Sequence, residues 1–244
     1  MRYFIDLAYR GTRYHGWQVQ ANAHSVQAEL NQALSTLLRH PVETIGSGRT
    51  DTGVHAEQQY VHLDTDFPLS SEKHLHSLNA LLPGDIAAKR IIPVSPEVHA
   101  RFDAVSRSYA YRISPQKDPF REGLCYVYRR NPDVAAMNQA VALLLKHTDF
   151  ECFSRVHTEV NHFHCTITEA RWDYEGDLLV FRISANRFLR GMVRAIVGTL
   201  LLVGEGKLSA GGLEEIILNR DRKKAGRAVP PEGLFLTKVE YPFI

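Results

Sequence analysis

Residues 46–55 constrain this chain more than any other segment, because three glycines, Arg49 and Asp51 share one polar stretch between predicted strands at 42–45 and 58–63. The glycines do not follow the G-x-G-x-x-G pattern of a dinucleotide-binding loop, since Asp51 stands at the third glycine position and a strand follows. The segment also lacks the lysine of a P-loop, and a central carboxylate would repel phosphate. Both nucleotide-binding loops are excluded, which leaves Asp51 as a candidate site residue or half of an Arg49–Asp51 surface pair in a turn.

Length and composition are those of a soluble globular protein. With 244 residues, 44% hydrophobic and 23% charged, the chain can form one large domain or two smaller ones. No apolar run approaches the roughly 20 residues of a membrane span, so we expect no membrane association. The first residues lead directly into a strand pattern, which predicts that no signal peptide precedes the fold. Three cysteines without C-x-x-C spacing favour a reducing, cytoplasmic location.

The charge is distributed unevenly along the chain. The formal net charge is only +2. Residues 1–104 carry 9 basic and 11 acidic side chains, whereas residues 105–244 carry 20 and 16, and 21 of the 29 basic residues are arginine. Arginine binds phosphate through two hydrogen bonds and stacks on bases, so this bias favours an anionic polymer as partner, although a solvated basic face would look the same.

Apolar periodicity and capping residues predict the secondary structure. In the first half we expect a strand at 3–8, a helix capped by Ser25, strands at 42–45 and 58–63, a helix from about 71 to 82, and a strand at 86–94. In the second half we expect a strand at 105–113, a helix capped by Asp133, a hairpin of strands 166–174 and 178–185, helices at 187–203 and 213–218, and a strand at 234–239.

This order of elements predicts an α+β fold with two similar β-α-β-β-α-β-like halves. Mostly antiparallel sheets would carry their helices on one face. We place the boundary between residues 1–104 and residues 105–244. No linker marks it, so the halves are expected to share a continuous sheet or a tight cleft.

Arg187, Arg190 and Arg194 are spaced by three and four, which would place them on one face of the helix predicted at 187–203. A solvated basic face accounts for that spacing. The alternative is that Arg194, which lies deepest in the apolar segment, pairs with a buried carboxylate and keeps Asp51 deprotonated.

The strand at 105–113 places Tyr109 and Tyr111 on one face. Packing within a sheet is the common role of such a pair, whereas a tyrosine that faces a cleft could stack on a nucleobase. Arg101 just before the strand adds a basic group. Histidines at 157, 162 and 164 precede Cys165, but no second cluster would complete a four-coordinate metal site, so we interpret them as loop and strand-start residues and predict no metal.

Residues 48–55, G-R-T-D-T-G-V-H, closely resemble the G-R-T-D-A-G-V-H signature of TruA-type tRNA pseudouridine synthases. Thr52 stands where alanine is commoner, and Arg10 where an acidic residue often precedes the early glycine. Further blocks resemble that family, in the same order and over essentially the whole chain: Y-H-G-W-Q-V-Q at 14–20, N-A-L-L-P-G-D-I at 79–86, H-A-R-F-D-A at 99–104, S-Y-A-Y at 108–111, N-R-F-L at 186–189 with M-V-R at 192–194, and E-G-L-F-L at 232–236.

The resemblance implies an enzyme that isomerises uridine to pseudouridine on the 3′ side of the tRNA anticodon stem-loop, at positions 38 to 40, without metal or cofactor. It implies that Asp51 is the catalytic aspartate and acts on a flipped-out uridine. Tyr109 would stack on the base, Arg194 would pair with the aspartate, and Arg49 would help to displace and hold the nucleotide. The family forms homodimers of an α+β fold, with a basic active-site cleft between two similar halves. The candidate RNA backbone contacts are Arg187, Arg190, Arg13 and Arg101.

Two other functions are consistent with parts of the sequence. An RNA-binding protein of the same fold could act as a chaperone without catalysis, but Asp51, Arg49, Tyr109 and Arg194 are all intact. A nucleoside glycosidase would release free uracil, yet only one catalytic carboxylate is evident where hydrolases generally use two. The sequence leaves open whether Asp51 attacks C1′ of the ribose, adds to C6 of uracil or only assists departure of the base.

Overall fold

Helices and strands follow one another along the chain much as the periodicity predicts. The computed structural model describes residues 1–155 and 162–244. In chain order its strands and α-helices are β1 Arg2–Tyr9, α1 Val26–Leu38, β2 Ile45–Gly46, β3 His55–Asp64, α2 Lys73–Leu81, β4 Ile86–Val94, β5 Ser106–Ser114, β6 Tyr126–Val127, α3 Val134–Leu144, β7 Ile167–Glu175, β8 Leu178–Ala185, α4 Met192–Gly204, α5 Ala210–Leu218 and β9 Leu234–Glu240.

The chain divides into two compact units. Unit 1 comprises residues 1–105 and 235–244, and unit 2 comprises residues 106–234. The predicted halves, 1–104 and 105–244, assigned residues 235–244 to the other half. The sequence shows no signal for this exchange, because it depends on pairing between strands that are far apart along the chain.

In unit 1, β1 lies between β4 and β3 and is antiparallel to both. The short β2 is also antiparallel to β3, whereas β9 runs parallel to β3 with His55 opposite Phe235. In unit 2, β8 lies between β5 and β7 and is antiparallel to both, and β6 pairs in parallel with β5. The predicted α+β class and mostly antiparallel pairing are confirmed.

Two predicted helix caps are present. The Ser25 side chain accepts a hydrogen bond from the backbone N–H of Ala28 and begins α1. The Asp133 side chain accepts one from Ala136 and begins α3. Each cap satisfies a backbone donor that the first helical turn would leave unpaired, which explains why these local signals predicted the helix starts correctly.

The strand predicted at 42–45 is wrong for residues 42–44, since β2 contains only Ile45 and Gly46. The Val42 N–H donates to Ser35 Oγ at 2.9 Å, and the Thr44 N–H donates to Asn31 Oδ1 at 3.2 Å. Both acceptors are side chains of α1. The backbone donors that a strand would need are therefore used to bind this segment to the helix.

The helix predicted from Arg187 is also wrong at its start, because α4 begins at Met192. The Asn186 N–H donates to the Thr166 carbonyl at 3.1 Å and continues the β7–β8 pairing. Gly191 then takes a left-handed conformation, with φ of 71°, immediately before the helix. Arg187 and Arg190 therefore precede the helix, and they do not share a helical face with Arg194.

Large apolar side chains fill the interior of each unit. Trp17 is fully buried in unit 1 and Trp172 in unit 2. In α4, eleven of the thirteen residues are buried, as the apolar sequence of that helix predicts. Among the described residues, no helix is both long and apolar enough to span a bilayer.

Candidate active site

Residues 47–54 form the loop between β2 and β3, and β3 holds one side of it. The Ser47 N–H donates to the Tyr60 carbonyl at 2.7 Å. The Ser47 hydroxyl donates to Gln59 Oε1 at 2.7 Å, and Gln59 Nε2 donates to the Gly48 carbonyl at 2.8 Å. Since Ser47 and Gln59 are both fully buried, these bonds fix the first residues of the loop firmly on the strand.

A second segment, residues 9–17, holds the other side of the loop. The Trp17 N–H donates to the Thr50 carbonyl at 3.1 Å, and the Gly53 N–H donates to the Tyr14 carbonyl at 3.3 Å. The hydroxyls of Thr50 and Tyr9 are hydrogen-bonded to each other at 2.8 Å in the interior. These contacts on either side of Asp51 restrict the position of its backbone.

Two glycines allow this close approach. A Cβ at Gly16, where φ is 91°, would lie 2.6 Å from the Thr50 carbonyl oxygen. A Cβ at Gly11 would overlap the Val54 carbonyl oxygen, and the Gly11 N–H donates to Nδ1 of buried His55 at 3.1 Å. Any larger residue at Gly11 or Gly16 would have to push the loop away.

Arg49 and Asp51 lie on either side of the buried Thr50. The Arg49 side chain is exposed, whereas Asp51 is half-buried. The Asp51 carbonyl accepts the N–H of Val54 at 3.1 Å, closing a tight turn in which Gly53 has a φ of 76°. The loop thus holds a carboxylate at the surface on a constrained backbone, with a cation two residues away, an arrangement suited to a nucleophile or general base.

Arg13, a predicted RNA contact, is exposed and forms an ion pair with Asp85 at 2.7 Å. The Tyr14 hydroxyl donates to the other Asp85 oxygen at 2.7 Å. Burial alone would raise the pKa of Asp85, but the hydrogen bonds from Arg13 and Tyr14 outweigh it and lower that pKa. Asp85 therefore orients Arg13 as well as the segment that holds the loop.

Arg101, another predicted RNA contact, is exposed on a turn that buried groups hold in place. The N–H of Ala100, which precedes Arg101, donates to His62 Nδ1 at 3.0 Å. The Arg101 N–H itself donates to His99 Nδ1 at 3.1 Å, and its guanidinium lies 5.6 Å from the centre of the exposed Phe102 ring. A cation and an aromatic ring are thereby presented together to solvent.

In unit 2, the two tyrosines of β5 have different environments. Tyr111 is fully buried, and its hydroxyl donates to the Pro230 carbonyl at 2.7 Å, so it is a packing residue. Tyr109 is half-buried, and its ring contacts Phe188 edge to face at 5.1 Å. Of these two tyrosines, Tyr109 is therefore the one that is partly accessible to solvent.

Arg194 lies in the first turn of α4 and is half-buried. Its Nε donates to the Val229 carbonyl at 2.6 Å, and the Val229 N–H donates to the Arg194 carbonyl at 3.1 Å. This double contact fixes the stem of the side chain. Arg187 is half-buried and Arg190 exposed, both before the helix.

The histidines singled out in the sequence are only partly within the described residues. Of the three, His157 lies outside the described residues, while the rings of His162 and His164 are 5.6 Å apart. Across the described parts of the chain, no group of three or more histidine, cysteine, aspartate or glutamate side chains could hold a metal ion.

Comparison with known proteins identifies the family. The family model for tRNA pseudouridine synthase matches residues 7–103 and 140–242. Proteins named tRNA pseudouridine synthase A are 49% identical in Parabacteroides distasonis, over 99% of this chain and 96% of that protein, and 50% identical in Porphyromonas gingivalis, over 99% and 97%. A protein of the same name from an Exiguobacterium strain is 39% identical over 97% of this chain.

The chain belongs to the tRNA pseudouridine synthase family. Members are isomerases that act on uridine in tRNA. The family model covers the 47–54 loop and α4, and therefore Asp51 and Arg194, but the segment from 104 to 139, which contains Tyr109, lies between its two matched ranges.

Some residues of this synthase that support the loop were not predicted as functional. The Y-H-G-W block resembles the family in sequence. That resemblance does not indicate that Trp17 and Tyr14 hold the loop by backbone hydrogen bonds. The sequence contains no signal for the roles of Gln59 and Val229. Gln59 contacts Gly48, and Val229 contacts Arg194, only after the chain has folded.

Proposed function

We propose that this synthase converts uridine to pseudouridine at positions 38 to 40 of the tRNA anticodon stem-loop, with Asp51 as the nucleophile. The observation that carries the proposal is the position of Asp51, half-buried on a loop that is hydrogen-bonded on both sides. A constrained carboxylate loses little freedom when it meets a reacting atom, which favours attack on a nucleotide.

We assign the other residues from their environments. Tyr109 is half-buried and would stack on the flipped uracil, a contact worth about 1–3 kcal/mol. Exposed Arg49 would hold the displaced nucleotide through its phosphate. Arg194, whose stem Val229 fixes, would pair with Asp51 and keep that carboxylate ionised.

The other four candidate arginines would bind the RNA backbone. Arg13, Arg101 and Arg190 are exposed and Arg187 is half-buried, as phosphate-binding side chains must be accessible. The family resemblance supports an active-site cleft between the two halves, a homodimeric assembly and a cytoplasmic location. All three cysteines are free thiols, which agrees with a reducing compartment.

Release of tritium from tRNA labelled at C5 of uridine tests this function, because isomerisation frees that hydrogen. Asp51→Asn should lower the release rate by about a thousandfold or more, while the Kd for tRNA changes by less than about threefold. Asp66→Asn, which removes an exposed carboxylate from the same unit, is the matched control.

Two results would overturn the proposal. Wild-type protein that binds tRNA but releases no tritium would show an RNA-binding protein without this activity. Loss of both binding and release in Asp51→Asn would make Asp51 a structural residue.

A second substrate, substituted at C5, can show which atom Asp51 reaches first, since attack on C1′ of the ribose and addition to C6 of uracil form different covalent adducts. Capture of an adduct with 5-fluorouridine tRNA, followed by mass analysis of the nucleotide that remains attached, would separate the two routes. Simple assistance to base departure would leave no adduct.

A further inference from the structure

Three segments of unit 2 converge, and one of them contacts the Tyr109 ring through Phe188. The Arg155 N–H donates to the Arg190 carbonyl at 3.3 Å, and the Thr166 N–H donates to Asn186 Oδ1 at 2.8 Å. These bonds bring residue 155, residues 162–166 and residues 186–190 together. Five side chains on them are cationic or carry imidazole N–H donors, and we call them the Arg–His surface: Arg155, His162, His164, Arg187 and Arg190.

Charge and exposure give the Arg–His surface the character of an anion site. Four of its side chains are exposed and Arg187 is half-buried. Residues 162–166 and 186–190 contain no aspartate or glutamate, and the carboxylate of Asp149, which lies opposite His164, forms an ion pair with Arg220 at 2.9 Å. A neutral imidazole still offers one N–H donor, and each guanidinium offers five, so together these groups can bind several phosphate oxygens.

The contact between Arg187 and His162 supports this interpretation. Arg187 Nη1 lies 3.2 Å from His162 Nε2 and 3.4 Å from His162 Nδ1. Both distances are within hydrogen-bond range, so the guanidinium can donate to a neutral His162 ring, with the accepting nitrogen set by the tautomer. A neutral ring that accepts from Arg187 at one nitrogen keeps the N–H at the other nitrogen as a donor, and the guanidinium has further N–H donors for an anion.

The location of the surface indicates which anion it meets. Phe188, which contacts the Tyr109 ring at 5.1 Å, directly follows Arg187 in the chain. If Tyr109 stacks on the flipped base, the phosphates next to that nucleotide lie close to residues 186–190. We propose that the Arg–His surface binds the RNA backbone beside the flipped uridine, with His162 and His164 as ligands in addition to the arginines.

This inference rests on the proposed function for its choice of RNA, and it is tested by binding alone. The Kd of wild-type protein for a tRNA transcript is measured by fluorescence anisotropy over a range of KCl concentrations. Arg155→Gln/Arg187→Gln should raise the Kd roughly tenfold and reduce the slope of log K against log salt by about 0.7–0.9 per arginine.

The histidines give an independent readout. His162→Ala/His164→Ala removes two exposed rings, so the fold should be kept, and the loss of their hydrogen bonds to phosphate should weaken binding by about two- to fivefold. Arg171→Gln removes one exposed arginine from β7 of the same unit and is the matched control for charge.

The outcomes separate this inference from the catalytic proposal. If variants of the Arg–His surface bound tRNA with the same Kd as Arg171→Gln, the inference would be overturned. It would also be overturned if those variants changed only the sedimentation coefficient of the protein, which would indicate a protein-docking surface. Weakened binding in a protein that releases no tritium would support the inference while the catalytic proposal fails.

Discussion

His62 is a buried imidazole that fixes the turn carrying Arg101. Its Nδ1 accepts the N–H of Ala100, and its ring packs edge-on against His99 at 4.7 Å. Burial, with smaller effects from nearby Arg2 and His99, lowers the pKa of His62 to about 4. The neutral form is therefore part of the folded structure, because a protonated Nδ1 could not accept a hydrogen bond.

Because of His62, the protein should become less stable as the pH falls. An unfolded histidine titrates near 6.5, so between that value and about 4 the unfolded chain binds more protons than the folded one. The contribution is complete above pH 6.5 and is lost as pH falls towards 4. From pH 7 to pH 5, urea unfolding should show wild type losing about 2 kcal/mol more than His62→Gln, which keeps an acceptor but does not titrate.

His40→Gln, which replaces an exposed histidine of the same unit, is the control and should lose stability like wild type. Equal losses of unfolding free energy in wild type and His62→Gln would show that the stability of the protein does not depend on a neutral His62.

At the scale of elements, sequence predicted what local contacts determine. Ser25 and Asp133 accept hydrogen bonds from residues only three positions away, and both helix starts were correct. The strand at 42–45 failed because its donors bind side chains of α1, and the start of α4 failed because Asn186 still belongs to the β7–β8 pairing. Periodicity does not report such contacts between elements.

The same limit applies to the candidate site. The family motif indicates Asp51 and Arg49 as candidates, since both lie in one continuous segment. The supports of the loop come from residues 9–17 and from β3, and Arg194 is fixed by a carbonyl 35 residues away. Nothing in the local sequence of the loop specifies these partners.

Packing of the loop against the short helical turn at Gly11–Arg13 gives a prediction at this scale. Gly11→Ala would force the new methyl group into the Val54 carbonyl, which must move. We expect a loss of about 2 kcal/mol or more in the free energy of unfolding, and a tritium release rate reduced at least about tenfold because Asp51 moves with the loop. Thermal unfolding and initial release rates measure the two effects.

Gly84→Ala is the matched control, because a Cβ there would meet no atom within 4 Å. If Gly11→Ala unfolded and reacted like Gly84→Ala, the loop would not be held by close packing at this glycine.

At the scale of the whole molecule, unit 1 is assembled from both ends of the described chain, with unit 2 inserted between them. The parallel pairing of β9 with β3 joins residues about 180 positions apart, such as His55 and Phe235, whose rings also stack at 4.5 Å. Closing so long a loop costs entropy before the contacts form. Because residues 235–244 follow unit 2 along the chain, unit 1 can be completed only after unit 2 has been synthesised.

Removal of residues 235–244 should therefore unfold unit 1 in part. It deletes the β9 pairing, the Phe235 ring, and the hydrogen bond from the Tyr241 hydroxyl to the Ala100 carbonyl. Amide hydrogens of β3 should exchange at least about a hundredfold faster, because an edge of that strand loses its partner, and tritium release should be lost with the loop that β3 supports.

Removal of only residues 243 and 244, both partly exposed, should leave exchange and release as in wild type. If the longer deletion kept wild-type protection in β3, the closing strand would be dispensable, and residues 1–105 would fold without the end of the chain.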